Sequence, residues 1–70
     1  MPFANFKVPA GTLTVDQKRD IVDTATDLFV RLYGERARPT TLILVDEVPD
    51  GGWGIGGQVL TAAMINGTGE

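Results

Sequence analysis

The sequence predicts a small α/β (α+β) domain: a β-α-β unit with a glycine-shaped C-terminal segment, built to assemble with other subunits. Three observations predict it. A capped amphipathic helix lies between two short apolar or β-branched segments. The second of those segments is wholly apolar, as in a parallel strand. The chain has 70 residues and no cysteine, so a core of marginal size has no disulfide to support it.

Residues 2–8 mix aromatic, β-branched and polar types and read as a strand, with Pro2 at a first position where no ladder N–H is needed. Pro9, Gly11 and Thr12 break the pattern into a loop. Thr14 to Gln17 fits a capping box, with Asp16 in the first turn where the helix dipole favours an acid. Ile21, Ala25, Leu28 and Leu32 follow at helical spacing, flanked by Val22 and Phe29, and Gly34 sits at the C′ position. These place a helix over residues 15–33, followed by a polar connection over 35–39.

Thr41 to Val45 reads as a strand buried on both faces, within residues 40–46. Strand, helix, strand implies a parallel pair with a right-handed crossover. One helix covers one face of such a sheet, and the other face would leave apolar side chains in water at about 25 cal/mol per Å². A second subunit is the expected cover. Residues 49–57 are glycine-dense and read as a loop or hairpin; residues 58–65 suit a strand or a short helix equally, and 66–70 read as a mobile polar tail. No internal repeat or linker divides the chain, so residues 1–70 form one domain.

Composition excludes several function classes. Histidine and cysteine are both absent, which removes the commonest general base, the commonest metal ligand and every thiolate; no metal and no cofactor is expected. The net charge of −3 disfavours nucleic acid and anionic membranes as partners. No apolar run approaches the roughly 20 residues that span a bilayer. No secretory leader pattern is visible, and a cytoplasmic location is expected. Gly52, Gly54 and Gly57 match GxGxxG formally. The segment that follows leaves no room for a helix and an acidic residue about 20 positions on, so no dinucleotide site is expected.

Two motifs carry chemistry. The first is Met1-Pro2: removal of the initiator methionine leaves a secondary amine at the chain terminus. An α-amino group has a pKa near 7.7–8.0; desolvation or a nearby cation lowers it, toward the range where acid/base catalysis works best at neutral pH. If Met1 stays, the Pro2 nitrogen is an amide and is no base. The second is Gly52-Trp53-Gly54-Ile55-Gly56-Gly57, a tight turn that presents Trp53 and Ile55, either beside a pocket or as interface anchors.

Pro2, the capped helix, the buried strand and Trp53-Gly54-Ile55-Gly56-Gly57 together resemble the 4-oxalocrotonate tautomerase family of the tautomerase superfamily, over about residues 2–60. The resemblance implies a β-α-β subunit with a C-terminal hairpin at 51–60, assembled as a homohexamer (a trimer of dimers) or as an oligomer completed by a different chain. It implies enol–keto chemistry on a small 2-oxo or 2-hydroxydienoate-type acid of the kind met in aromatic catabolism, with Pro2 carrying the proton. Trp53 matches an aromatic wall of the family's active site, Ile55 an apolar pocket residue and Pro9 another near the end of the first strand. The family's two substrate-binding arginines fall on Thr12 and Leu42, which are uncharged. A carboxylate clamp needs a cation, and Lys7, Arg36 and Arg38 are the candidates to supply it, Lys7 alternating away from Phe6 and Val8. A hydratase, dehalogenase or decarboxylase on the same scaffold is one alternative and needs a carboxylate near Pro2 to activate water; Asp46 and Glu47 follow the second strand, where a carboxylate is more often a solvated terminus, and neither is assigned a catalytic role. A non-catalytic structural or binding oligomer is the other alternative.

Overall fold

The computed structural model describes residues 1–66, so all but the first residue of the expected tail lies outside the described residues. The capping signal is realised at Thr14: its hydroxyl accepts from the Gln17 N–H at 3.1 Å, and the Gln17 side chain accepts from the Thr14 N–H at 2.8 Å. Both satisfy donors that a helix start leaves orphaned. Helix α1 runs Val15–Tyr33 and closes with the Gly34 N–H donating to the Val30 carbonyl at 2.7 Å.

Strand β1 (Phe3–Pro9) pairs in parallel with β2 (Leu42–Val48), Phe3 opposite Leu42 and Pro9 opposite Val48. The second strand starts and ends two residues later than the sequence suggests, because the connection is structured. Glu35–Thr40 forms a 3₁₀ segment, closed where the Thr40 and Thr41 hydroxyls donate to the Ala37 carbonyl at 3.3 and 2.8 Å. After β2, a hairpin of β3 (Gly54–Ile55) and β4 (Gln58–Val59) forms its own two-stranded sheet, and a short helix α2 (Ala62–Ile65) follows. Residues 58–65 thus divide between the two conformations that their sequence left open. The β-α-β order with a C-terminal hairpin is the observed architecture.

Helix α1 covers one face of the β1–β2 sheet. Phe6 shares a groove with Ile21, Ala25 and Leu28, and Lys18 reaches Glu47 at 2.6 Å. The period of two along each strand turns Phe3, Asn5, Lys7, Leu42, Leu44 and Asp46 to the opposite face. There Lys7 and Asp46 pair at 2.6 Å, while Phe3, Leu42 and Leu44 stay 55, 41 and 42% exposed. The apolar β2 run is therefore covered on one face in the single chain, not on both. The helical stripe divides too: Ala25 is buried and Ile21 half-buried, whereas Leu28 and Leu32 are exposed. Among the described residues only Ala25 and Ala37 are buried apolar side chains. The radius of gyration of 15.0 Å exceeds the about 11 Å of a compact chain of this length. One chain does not close its own core.

The hydrogen bond from Lys18 holds the Glu47 carboxyl below its ordinary value; partial desolvation opposes this, and the Lys18 charge and a backbone bond from Gly11 add to it. A depressed folded-state carboxyl stabilises the fold above its unfolded pKa, and that contribution disappears as pH falls through the folded value. Glu47→Gln is expected to melt below the wild type at neutral pH, with the two melting curves converging as the pH is stepped down through and below the carboxylate range.

Candidate active site

Parallel pairing decides which residues can meet. The chain leaves β1 at Pro9, climbs back along α1, and enters β2 beside the start of β1. The end of α1 and the 3₁₀ segment thus arrive next to Pro2, whose carbonyl accepts from the Leu42 N–H at 3.0 Å. A cleft of about 330 Å³ opens there, lined by Met1, Pro2, Tyr33, Arg36, Ala37 and Thr40. Met1 lines this cleft and is 87% exposed.

Arg36 and Arg38 part company in the 3₁₀ segment. At three residues per turn, Arg38 shares a face with Glu35; its Nε donates to Glu35 at 2.8 Å and its Nη1 to Asp27 of α1 at 3.0 Å. The Glu35 and Asp27 hydrogen bonds raise the guanidinium pKa above its ordinary value. Arg38 therefore clasps the connection to the helix. Arg36 faces the Pro2 cleft, and no ion pair among the described residues engages it. Lys7 is committed to Asp46.

The other expected site residues gather at the far end of β1. Trp53 and Pro9 line a second cleft of about 360 Å³ with Lys7, Val8, Val48 and Gly52. The Thr12 hydroxyl donates to the Pro9 carbonyl at 2.7 Å and so stabilises the turn into α1. The hairpin is held at this end by Asn66, whose amide donates to the Gly11 carbonyl at 3.1 Å, and by Asp50, which accepts from the Ala62 N–H at 2.8 Å. Gly56 and Gly57 have φ of 60° and 82°, the paired positive angles that a two-residue hairpin turn demands. Gly54 is required for another reason: a Cβ there would collide with the Gln58 carbonyl oxygen and stand 3.0 Å from its carbon. Ile55 is exposed on this hairpin, and the Trp53 indole N–H is buried without a hydrogen-bond partner among the described residues.

Seven strand residues at about 3.3 Å each separate Pro2 from Pro9 by about 23 Å. A single chain therefore does not bring Pro2 together with Trp53, Ile55, Pro9 or Thr12. Leu42 lies at the Pro2 end, but on the uncovered sheet face. Sequence reasoning passed over Tyr33 and Thr40, both in the Pro2 cleft. The parallel crossover was the signal that would have found them, since it returns the helix end to the start of β1. Among the described residues no group of three or more acidic, histidine or cysteine side chains stands ready to hold a metal ion, and no helix is long and apolar enough to cross a membrane.

The β-α-β unit and its terminal hairpin are the architecture of the 4-oxalocrotonate tautomerases. A family model described as Tautomerase enzyme matches residues 2–63, and the chain belongs to that family. Its relatives include the probable tautomerase K2 of Dickeya dadantii (strain 3937), 36% identical over 61 residues that span 87% of this chain and 90% of the relative. Among solved structures, a 4-oxalocrotonate tautomerase isozyme of Methylibium petroleiphilum superposes with a TM-score of 0.73 at 29% identity, over 83% of this chain and 90% of the other. DmpI of Helicobacter pylori does so at 0.70 and 30% identity, over 83% and 88%.

Proposed function

We propose that the mature chain is a keto–enol tautomerase in which the Pro2 amine, freed by loss of Met1, moves a proton on a small 2-oxo or 2-hydroxydienoate-type acid. The observation that carries this reading is the place of Pro2: at the head of β1, in a cleft with a cation, in a chain without histidine. The neutral amine takes the proton from the enol oxygen. The oxygen then forms the carbonyl double bond, and the alkene pair takes a proton at carbon from the ammonium. The enzyme ends as it began, and the net change is one proton moved from oxygen to carbon.

The site is completed between copies in a homo-oligomer. The hairpin with Trp53, too far along its own strand to reach its own Pro2, packs beside the Pro2 of a neighbour. Three features support this: the uncovered face bearing Phe3, Leu42 and Leu44, the unclosed core, and an isolated two-stranded hairpin of a kind marginal on its own. Water-activating chemistry is less well served, because Asp46 and Glu47 are paired to Lys7 and Lys18. Protein shown by mass to lack Met1 is expected to convert phenylenolpyruvate to its keto form faster than a Pro2→Ala control. No excess over that control would favour a non-catalytic oligomer.

A further inference from the structure

We propose that Arg36 holds the substrate carboxylate beside Pro2, and that the cleft therefore selects an acid with one carboxylate over a diacid. The inference rests on Pro2 as the base and adds to it the group that recognises the substrate. Four of the six Lys and Arg side chains are committed elsewhere: Lys7 to Asp46, Lys18 to Glu47, Arg19 to Asp16 and Arg38 to Glu35 and Asp27. Arg31 lies on the groove that Phe6 and α1 form. Arg36 is the cation that lines the Pro2 cleft.

Its backbone is fixed. Ala37 beside it is buried, the Thr40 and Thr41 hydroxyls close on the Ala37 carbonyl, and the two bonds of Arg38 tie the segment to α1. Rooted on this backbone, the Arg36 guanidinium offers a planar fork that suits one carboxylate. Among the described residues of the chain's own lining, a second carboxylate meets no second cation and loses hydration without return. The other large wall is the ring of Tyr33, stacked on Phe29 at 6.3 Å, which suits an aryl or alkenyl tail.

The test uses mature wild type, Arg36→Gln, Arg36→Lys and Pro2→Ala. Substrates are phenylenolpyruvate, with one carboxylate, and 2-hydroxyhexa-2,4-dienedioate, with two. Wild type is expected to show the higher kcat/KM on the monoacid. Arg36→Gln should raise its KM about 10- to 100-fold, the worth of a charge-assisted hydrogen bond, with a smaller change in kcat, and Arg36→Lys should recover part of that. The acid limb of the kcat/KM profile should move to higher pH in Arg36→Gln, since a cation near the amine disfavours its protonated form; a merely structural role would leave that limb in place. Titration of 3-phenylpropionate into Pro2→Ala and into Pro2→Ala/Arg36→Gln reads the anchor without the chemistry, and the double variant should bind about 10-fold or more weakly. Equal binding by the two, or a wild-type preference for the diacid, overturns the inference. Full activity in Pro2→Ala overturns instead the reading of Pro2, and leaves the binding comparison to decide the role of Arg36.

Discussion

Protein that keeps Met1, for instance behind an uncleaved N-terminal extension, is expected to lose about 10²–10⁴-fold in phenylenolpyruvate turnover, the usual contribution of a positioned acid/base group. The reason is electronic. In the retained form the Pro2 nitrogen is a tertiary amide whose lone pair is delocalised into the carbonyl, so it accepts no proton at neutral pH. The extension leaves the rest of the cleft in place: Tyr33, Arg36 and Thr40 belong to α1 and the 3₁₀ segment and owe their positions to the helix cap, the Arg38 clasp and the Ala37 closure. Pro2→Ala in processed protein should fall less far, because alanine also leaves an α-amine, although one without the ring that fixes its direction. Rates measured on samples whose masses establish the processing state check the order wild type, then Pro2→Ala, then Met1-retained. Comparable rates in the processed and retained forms would remove Pro2 from the mechanism.

Leu44→Asp is expected to abolish assembly and most of the thermal stability with it. Leu44 sits mid-strand on β2, opposite Asn5 and flanked on its face by Leu42, and is 42% exposed in the single chain. If a neighbour covers this face, the substitution takes a carboxylate out of water with no partner, at several kcal/mol per copy, and the interface repeats the error in every subunit. The isolated chain has little to fall back on, with two buried alanines as the buried core among the described residues. Light scattering should move from an oligomeric mass to the 7.5 kDa of one chain, with a lower and broader melt. A wild type that is a well-folded monomer at micromolar concentration, or a Leu44→Asp protein that assembles normally, would refute the interface.

The helix was legible because its signals are local. Thr14, Gln17 and Gly34 act within one turn of themselves, and the structure uses each of them. The β-α-β order followed from the same kind of signal. The packing of Leu28, Leu32, Leu42 and Leu44 was not legible as core, because periodicity says which face is apolar and not whether the cover belongs to the same chain. The site split in the same way. Pro2 and Arg36 were both read from the sequence, but only the parallel register puts them in one cleft. Trp53 and Pro9 were read with them and lie at the opposite end of the strand. The clasp at Arg38 was not legible, because its partner Asp27 is eleven positions away in sequence. Tyr33 and Thr40 went unread because neither belongs to a motif; crossover geometry alone brings them to Pro2.

Trp53 is the sole tryptophan of the chain, and its indole lies at the hairpin end of β1. Red-edge fluorescence of this protein therefore comes from one known spot, and the proline end emits nothing in that band. If the hairpin packs on a neighbour, its spectrum changes on dilution, while the Pro2 end is followed by absorbance of the substrate. The two ends of one strand can thus be watched at once, in different colours, in the same cuvette.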